Sequence, residues 1–472
     1  MSTPIHAFGD DALGHDDAVG VAARITAGEI SAEEATEAAI ARVEQVDGVL
    51  HAVAYAAFDE ARAAARTARP GADGPFAGVP SFLKDNVELA GMPACHGSAA
   101  IDAVPVKRSN APAVQYVSQG FVILGKSTMP EFGLTASTEF ADGTATHNPW
   151  NPDHSAGASS GGSAALVASG AVPIAHGNDG GGSIRIPAAA NGLVGLKTTR
   201  GRTRDRPGAR QLPVNLSAEG ALCRTVRDAA HHLAAMERTY ANRHLPRVGL
   251  VSRPVERRLR VGMARISPTG VDVDPSTIAQ TEATAALLEE LGHHVDEVTL
   301  PTSRHFTEDF TLFWAFMAVL MARSEQLGHR GHFHPERLDP VTRGLQGKWH
   351  ANRTATVGAI RRLRAARADY DAMFTGHDVV LSPTLNHPTP KLGYLDPRLD
   401  FDELFARMSA YVGFTPVNNV CGGPAVALPT PLDADGLPGS VQFSAAWGDE
   451  ATLLGLAYEL EAARPFPDIR SA

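Results

Sequence analysis

Cysteine is scarce in this chain: Cys95, Cys223 and Cys421 stand far apart in 472 residues. An odd, scattered set of three argues against a disulfide framework or a cysteine metal site and fits reduced, mostly buried thiols. Long apolar runs are missing as well. The longest, Leu312 to Ala322 (LFWAFMAVLMA), has eleven residues, well short of the roughly 20 that a membrane-spanning helix needs. Basic charge is in the minority, with 42 Lys and Arg against 52 Asp and Glu and a net charge of -10. That balance argues against a nucleic-acid partner, whose phosphates need a basic face. One local exception, RGRTRDRPGAR at 200–210, holds five arginines and is read as a solvated loop with ion pairs, because the chain around it is acidic. The start, MSTPIHAFGDDALGHDD, has no basic segment followed by an apolar run, so no secretory signal is expected and a cytoplasmic protein is. No GxxxxGK[ST] loop and no convincing GxGxxG unit appears, so no cofactor is expected. His329, His332 and His334 have loose metal-ligand spacing, but no carboxylate or cysteine pattern completes a zinc site; they are read as structural, with no metal expected.

What is present is an ordinary globular composition, 44% hydrophobic and 20% charged, in which helix and strand patterns alternate. Ser31-Ala-Glu-Glu34 is a capping-box signature, followed by an apolar face at Ile40, Val43 and Val46. Helices are expected at 58–67, 225–239, 275–291, 305–327, 352–374 and 450–463, and strands at 121–126, 259–264, 294–300, 379–383, 424–429 and 440–446. Alternation of this kind favours an α/β fold, a large mixed sheet covered by helices on both sides. The chain is read as one domain over 1–472: N-terminal helices to 70, a glycine-dense core over 71–240, a helical region over 300–375 and closing strands and a helix over 376–472.

Three segments in the glycine-dense core stand out: GVPSFLKD (78–85), GASSGGS (157–163) and NDGGGSIR (178–185). In the third, Ser183 follows Gly180, Gly181 and Gly182, so amides without side-chain obstruction can point at an oxygen beside the serine hydroxyl, as an oxyanion hole requires. Gly157-x-Ser159-x-Gly161 also matches a hydrolase nucleophile elbow, but an elbow follows a buried strand, and residues 148–156 (NPWNPDHSA) are turn-forming with two prolines.

Together the three segments resemble the amidase signature family, whose catalytic set is a Ser-cisSer-Lys triad on one large α/β domain. The resemblance extends through NPW (148–150), SAALVASGAVPIAHG, RIPAAANGLVGLKTTRGR, TPVNNVCGGPAVALP and DGLPGSVQFSAAWGDEATLLGLAYELE, and covers about 15–463. It implies Ser183 as nucleophile, Ser159 as the cis-serine relay and Lys84 as base, with Ser160 as structural neighbour. It further implies an oxyanion hole from the amides of Gly180, Gly181, Gly182 and Ser183, braced by Asp179 and Arg185. The family often has glycine where Ala158 stands and threonine where Gly180 stands. The implied activity is hydrolysis of a small-molecule carboxamide through an acyl-enzyme. HGNDGGGSIRIPA looks like the branch with bacterial small-molecule amidases and the nylon-oligomer cyclic-dimer hydrolase. A glutamine-hydrolysing tRNA amidotransferase subunit and a catalytically silent binding subunit are the alternatives; Ile186 and TTRGRTRDRPG depart from the amidotransferase pattern. A homodimer is compatible with the resemblance.

A lysine acts as base only when neutral, and the apolar neighbours Phe82 and Leu83 are consistent with the burial that favours the neutral amine. The aromatic-rich stretch at 305–327 exceeds one narrow helical stripe, so part of it faces core or cavity. The functional expectation places Phe313, Trp314 and Met317 along a channel to Ser183; core packing is the competing expectation.

Overall fold

The computed structural model describes residues 3–206 and 208–471. Its strands are β1 (Val53–Ala56), β2 (Pro80–Lys84), β3 (Val122–Ser127), β4 (Ile174–Asp179), β5 (Val194–Lys197), β6 (Ala218–Cys223), β7 (Arg260–Met263), β8 (His294–Glu297), β9 (Val379–Pro383), β10 (Ala425–Leu432) and β11 (Pro438–Ala445). Its helices are α1 (Ala18–Ala27), α2 (Ala32–Leu50), α3 (Phe58–Thr67), α4 (Ala111–Val117), α5 (Gly161–Ala168), α6 (Arg185–Asn191), α7 (Val226–Thr239), α8 (Pro275–Glu290), α9 (Phe306–Gly328), α10 (Pro340–Asn352), α11 (Thr356–Met373), α12 (Phe401–Tyr411), α13 (Thr415–Cys421) and α14 (Glu450–Ala463). Local chemistry sets many of these boundaries. Ser31 and Glu34 form the reciprocal capping box of α2, and Thr225 caps α7 by accepting from the Asp228 amide.

Eight strands form a mixed sheet in the order β4-β6-β5-β10-β11-β9-β7-β8, while β1-β3-β2 form a second ladder. The parallel pairs are β2/β3, β7/β8 and β7/β9. The large mixed sheet is as expected; its division from a three-stranded ladder is not. β2 and β4 are the edges that face each other across the break, and side chains satisfy the β4 carbonyls there. Ser81 Oγ donates to the Ile174 carbonyl at 2.9 Å, Ser163 Oγ to that of His176 at 2.7 Å, and Lys84 Nζ reaches that of Asn178 at 3.5 Å. These three alternate residues present their carbonyls away from β6, so hydroxyls and an amine take the place of a ladder. The break is therefore a polar seam through the core, and the candidate residues collect along it.

Helix α9 lies against the serine loop through Phe310 and Trp314, and α10 and α11 pack on α9 in turn. Ala315, Ala318 and Ala322 of α9 pack with Val341 and Leu345 of α10, and Phe313 packs with Leu363 and Tyr370 of α11. Among the described residues no helix is long and apolar enough to cross a membrane.

Candidate active site

Every residue of β2 is buried, and the strand ends on Lys84. A buried amine must place its hydrogens on acceptors. Lys84 Nζ has Ser159 Oγ at 2.7 Å, Ser160 Oγ at 3.0 Å and Asn178 Oδ1 at 3.0 Å. Burial pushes its pKa well below the usual lysine value, with the Arg206 charge adding to the shift and Glu219 and Asp179 opposing it.

The loop before α5 brings Ser159 to the amine. Gly157 adopts φ +70°, and a Cβ there would lie 2.9 Å from the Pro187 backbone, so only glycine fits. The Ala158–Ser159 peptide is cis. Gly133 backs the serine on its other side: a Cβ would stand 2.8 Å from Ser159 Oγ. Ser160 Oγ donates to the Ser183 carbonyl at 2.5 Å, which ties this loop to the next.

The second loop leaves β4 at Asp179 and enters α6 at Arg185, and these two side chains form an ion pair from which solvent is excluded. Asp179 Oδ1 accepts from the Gly182 amide at 2.8 Å, and its Oδ2 from the Ile184 amide at 3.2 Å. Burial alone would raise the Asp179 pKa, but the adjoining Arg185 guanidinium overrides it and holds the carboxyl well below its usual range. Arg185 is itself saturated by Asn418, Asn419, Gln442 and the Thr415 carbonyl. This arrangement corrects one expectation. The Gly182 amide is engaged by Asp179 and does not face the substrate side. The amides of Gly180, Gly181 and Ser183 have no hydrogen-bond partner among the described residues. Gly182 is required for space instead, since a Cβ would lie 2.3 Å from Thr415 Oγ1.

The sequence profile of the Amidase family matches residues 34–454. The chain is 46% identical over 468 residues to "Putative amidase AmiC" of Mycobacterium tuberculosis, covering 99% of this chain and 98% of that one. It is 34% identical over 491 residues to 6-aminohexanoate-cyclic-dimer hydrolase of Paenarthrobacter ureafaciens, covering 95% of each. This chain belongs to the amidase family. It is a hydrolase acting on amide C–N bonds. The solved structure of 6-aminohexanoate cyclic dimer hydrolase complexed with substrate superimposes with a TM-score of 0.86 at 30% identity, covering 96% of this chain and 98% of that chain.

In this amidase, Ser183 is 7% exposed and opens onto a cavity between the serine loops and the α9 and α12 helices. Its walls include Ile186, Phe306, Phe310, Trp314, Phe405 and Met408. Of the three channel residues expected from the sequence, only Trp314 lies on that wall. It stacks on Phe310 at 5.6 Å and donates its indole N–H to the Leu134 carbonyl at 3.1 Å. Phe313 is fully buried against α11, and Met317 packs in the same cluster. The reason is helical phase. Phe306, Phe310 and Trp314 repeat at four-residue steps along one face, whereas Phe313 is turned about 100° from Trp314.

The three histidines of the α9–α10 connection do not converge. His329 faces Glu325 at 3.3 Å, while His332 and His334 face Asp102 at 3.3 and 3.1 Å. Likewise the arginine-rich loop is less solvated than expected. Arg202 is buried between Glu237 and Glu450, and Arg200 donates to the Asn419 and Val420 carbonyls; Arg210 is exposed and pairs with the half-buried Asp205. Sequence reasoning passed over four amide side chains that shape the site: Asn86 and Asn178 beside Lys84, and Asn418 and Asn419 behind Arg185. Asn418 and Asn419 stand in an otherwise apolar segment, TPVNNVC, which is the signal that could have marked them.

Proposed function

We propose that this amidase cleaves uncharged, largely apolar carboxamides through an acyl-enzyme on Ser183, giving a carboxylate and an amine. The observation that carries the reading is the buried Lys84 amine 2.7 Å from Ser159 Oγ, on the loop whose next hydroxyl holds the Ser183 backbone. Neutral Lys84 accepts the Ser159 proton, Ser159 takes the proton of Ser183, and Ser183 Oγ bonds to the carbonyl carbon. The oxygen that gains charge is met by the partner-free amides of Gly180, Gly181 and Ser183. As the tetrahedral species collapses, the proton returns through Ser159 to the leaving nitrogen and the C–N bond breaks. Water then attacks the ester by the same relay, restoring Ser183 and releasing the acid.

The substrate class follows from the wall. Aromatic and aliphatic side chains dominate it, threonine and serine hydroxyls supply its polarity, and none of the lining residues is ionisable. A charged group would lose its hydration there without a counter-ion. Glutamine, with an ammonium and a carboxylate, is a poor fit, and a cyclic amide with no free ends is a good one. With three unpaired cysteines in the chain, we place the protein in a reducing compartment such as the cytoplasm.

The test is turnover of matched p-nitroanilides by the purified chain. A neutral acyl chain is expected to be hydrolysed and its ω-ammonium counterpart to lose at least about tenfold in kcat/KM; equal rates, or hydrolysis of neither, would count against the reading. The rate should rise with pH along a single acid limb and then level. Because burial lowers the Lys84 pKa, that limb belongs well below the ordinary lysine value of about 10.4. A rate that keeps climbing through about pH 10 would mean that the base is an ordinary exposed amine.

The pocket has its own variants. Trp314→Ala should reorder the preference among short, long and aromatic acyl groups, with KM changing more than thermal stability. Phe313→Ala should instead cost about 3 kcal/mol of stability by leaving a cavity in the core and should lower all substrates together. Denaturant titration beside a substrate panel separates the two outcomes.

A further inference from the structure

Within 3.0 Å the Lys84 amine has three oxygen neighbours, the Asn178 main-chain carbonyl standing farther off at 3.5 Å, and the hydrogen-bond roles of two of the three are fixed. Ser160 has one hydroxyl hydrogen, given to the Ser183 carbonyl at 2.5 Å, so towards Lys84 Nζ its oxygen can only accept. Asn178 turns its carbonyl oxygen to the amine at 3.0 Å, and its amide nitrogen donates to Asn86 Oδ1 at 2.9 Å across the seam. Asn86 Nδ2 returns towards Asn178 Oδ1 at 3.4 Å, and both side chains are buried. A neutral amine has two hydrogens and one lone pair. With both hydrogens committed to Ser160 and Asn178, the lone pair is left towards Ser159 Oγ.

We infer that Asn178, held by Asn86, is a positioning residue that works with Ser160 to aim the lone pair of neutral Lys84 at the Ser159 hydroxyl. This rests on the triad reading above and adds direction to it: the proton can move only from Ser159 to Lys84 in the acylation step. When Lys84 is protonated, its third hydrogen lies on Ser159 Oγ, ready to be returned to the leaving nitrogen. An aspartate at position 178 would break the arrangement, because a carboxylate on the amine favours the ammonium, which has no lone pair.

The other titratable groups around the amine are Asp179 at the end of β4, Glu219 of β6 with the buried His176 of β4, whose pKa burial lowers, and Arg206 in the loop before β6. Asp85 and Lys126 lie nearby but bond elsewhere, Asp85 accepting from the Gly97 amide and Lys126 donating to the Val87 carbonyl. None of these side chains accepts a hydrogen bond from Lys84 Nζ, whereas that of Asn178 does.

The experiment is the pH dependence of kcat and KM on an uncharged p-nitroanilide for the full chain and for Asn178→Asp, Asn86→Ala and Lys84→Met. Asn178→Asp should move the acid limb up by at least about one pH unit and lower kcat near neutrality by about tenfold or more, with KM little changed and activity returning as pH rises. Asn86→Ala, which frees Asn178 to turn, should lower kcat several-fold at constant KM. An acid limb that stays in place in Asn178→Asp while only the melting temperature falls would overturn the inference. Should that variant fail to fold, wild-type kcat in Asn86→Ala would overturn it equally. Wild-type turnover in Lys84→Met would show instead that the triad reading beneath it is wrong.

Discussion

Ser183→Ala is expected to lower amide turnover by roughly 10⁶-fold, the scale on which serine hydrolases lose activity when the nucleophile is removed. The fold should be unaffected. Ser183 Oγ makes no hydrogen bond among the described residues, and the anchoring of Ser183 runs through its carbonyl to Ser160. The Asp179–Arg185 pair and the Thr415 hydroxyl on the Gly181 carbonyl keep the loop in shape. Comparing kcat with the melting temperature checks both parts. A variant that retains more than about a thousandth of the rate would mean that another group attacks the carbonyl.

Lys84→Met is expected to divide amides from esters. Methionine fills most of the space of the buried lysine and leaves no uncompensated charge, so the comparison is not dominated by a hole in the core. On an anilide the loss should approach about 10⁴-fold, the upper range for a positioned acid–base group, because an amine leaves poorly unless it is protonated. On the matched ester the loss should be at least about tenfold smaller, since an alkoxide or phenoxide departs with less assistance. Equal losses on the two substrates would contradict a relay from Lys84 through Ser159 to the leaving group.

Much of the fold was legible because local chemistry agreed with tertiary demand. Helix α3 (Phe58–Thr67) begins and ends where its pattern does, and α7, α8 and α14 lie within two residues of expectation. Helices α7, α8 and α14 each start on a side-chain cap, and Pro70 stands just beyond the end of α3. Short helices such as α4 and α6 escaped notice because seven residues carry about two turns of periodicity, too little to stand out among glycine and proline. The seam between β2 and β4 was not legible for a different reason. Serine or lysine in a strand does not announce that it will take the place of a ladder partner.

The site divides in the same way. Lys84, Ser159 and Ser183 lie in compact glycine- and serine-rich segments, and the structure brings the first two into contact and the third onto the same pair of loops. The pocket wall could not be phased from sequence. The first turns of α9 carry aromatic residues on several faces, so periodicity does not tell which face meets core and which meets the cavity. Nor could the role of Gly182 be read from a run of three glycines, since that depends on where the Asp179 carboxylate turns. The Asn86–Asn178 pair joins residues 92 positions apart and has no local signature at all.

The central claim is that Ser183, and not the Ser159 beside Lys84, forms the covalent bond with substrate. It is tested most directly by labelling the wild-type protein with a fluorophosphonate and locating the adduct by peptide mass mapping. The account predicts one adduct per chain, on the peptide containing Gly180-Gly181-Gly182-Ser183, absent from Ser183→Ala. An adduct on Ser159 with Ser183 unmodified would contradict it and would make the GASSG segment the nucleophile loop.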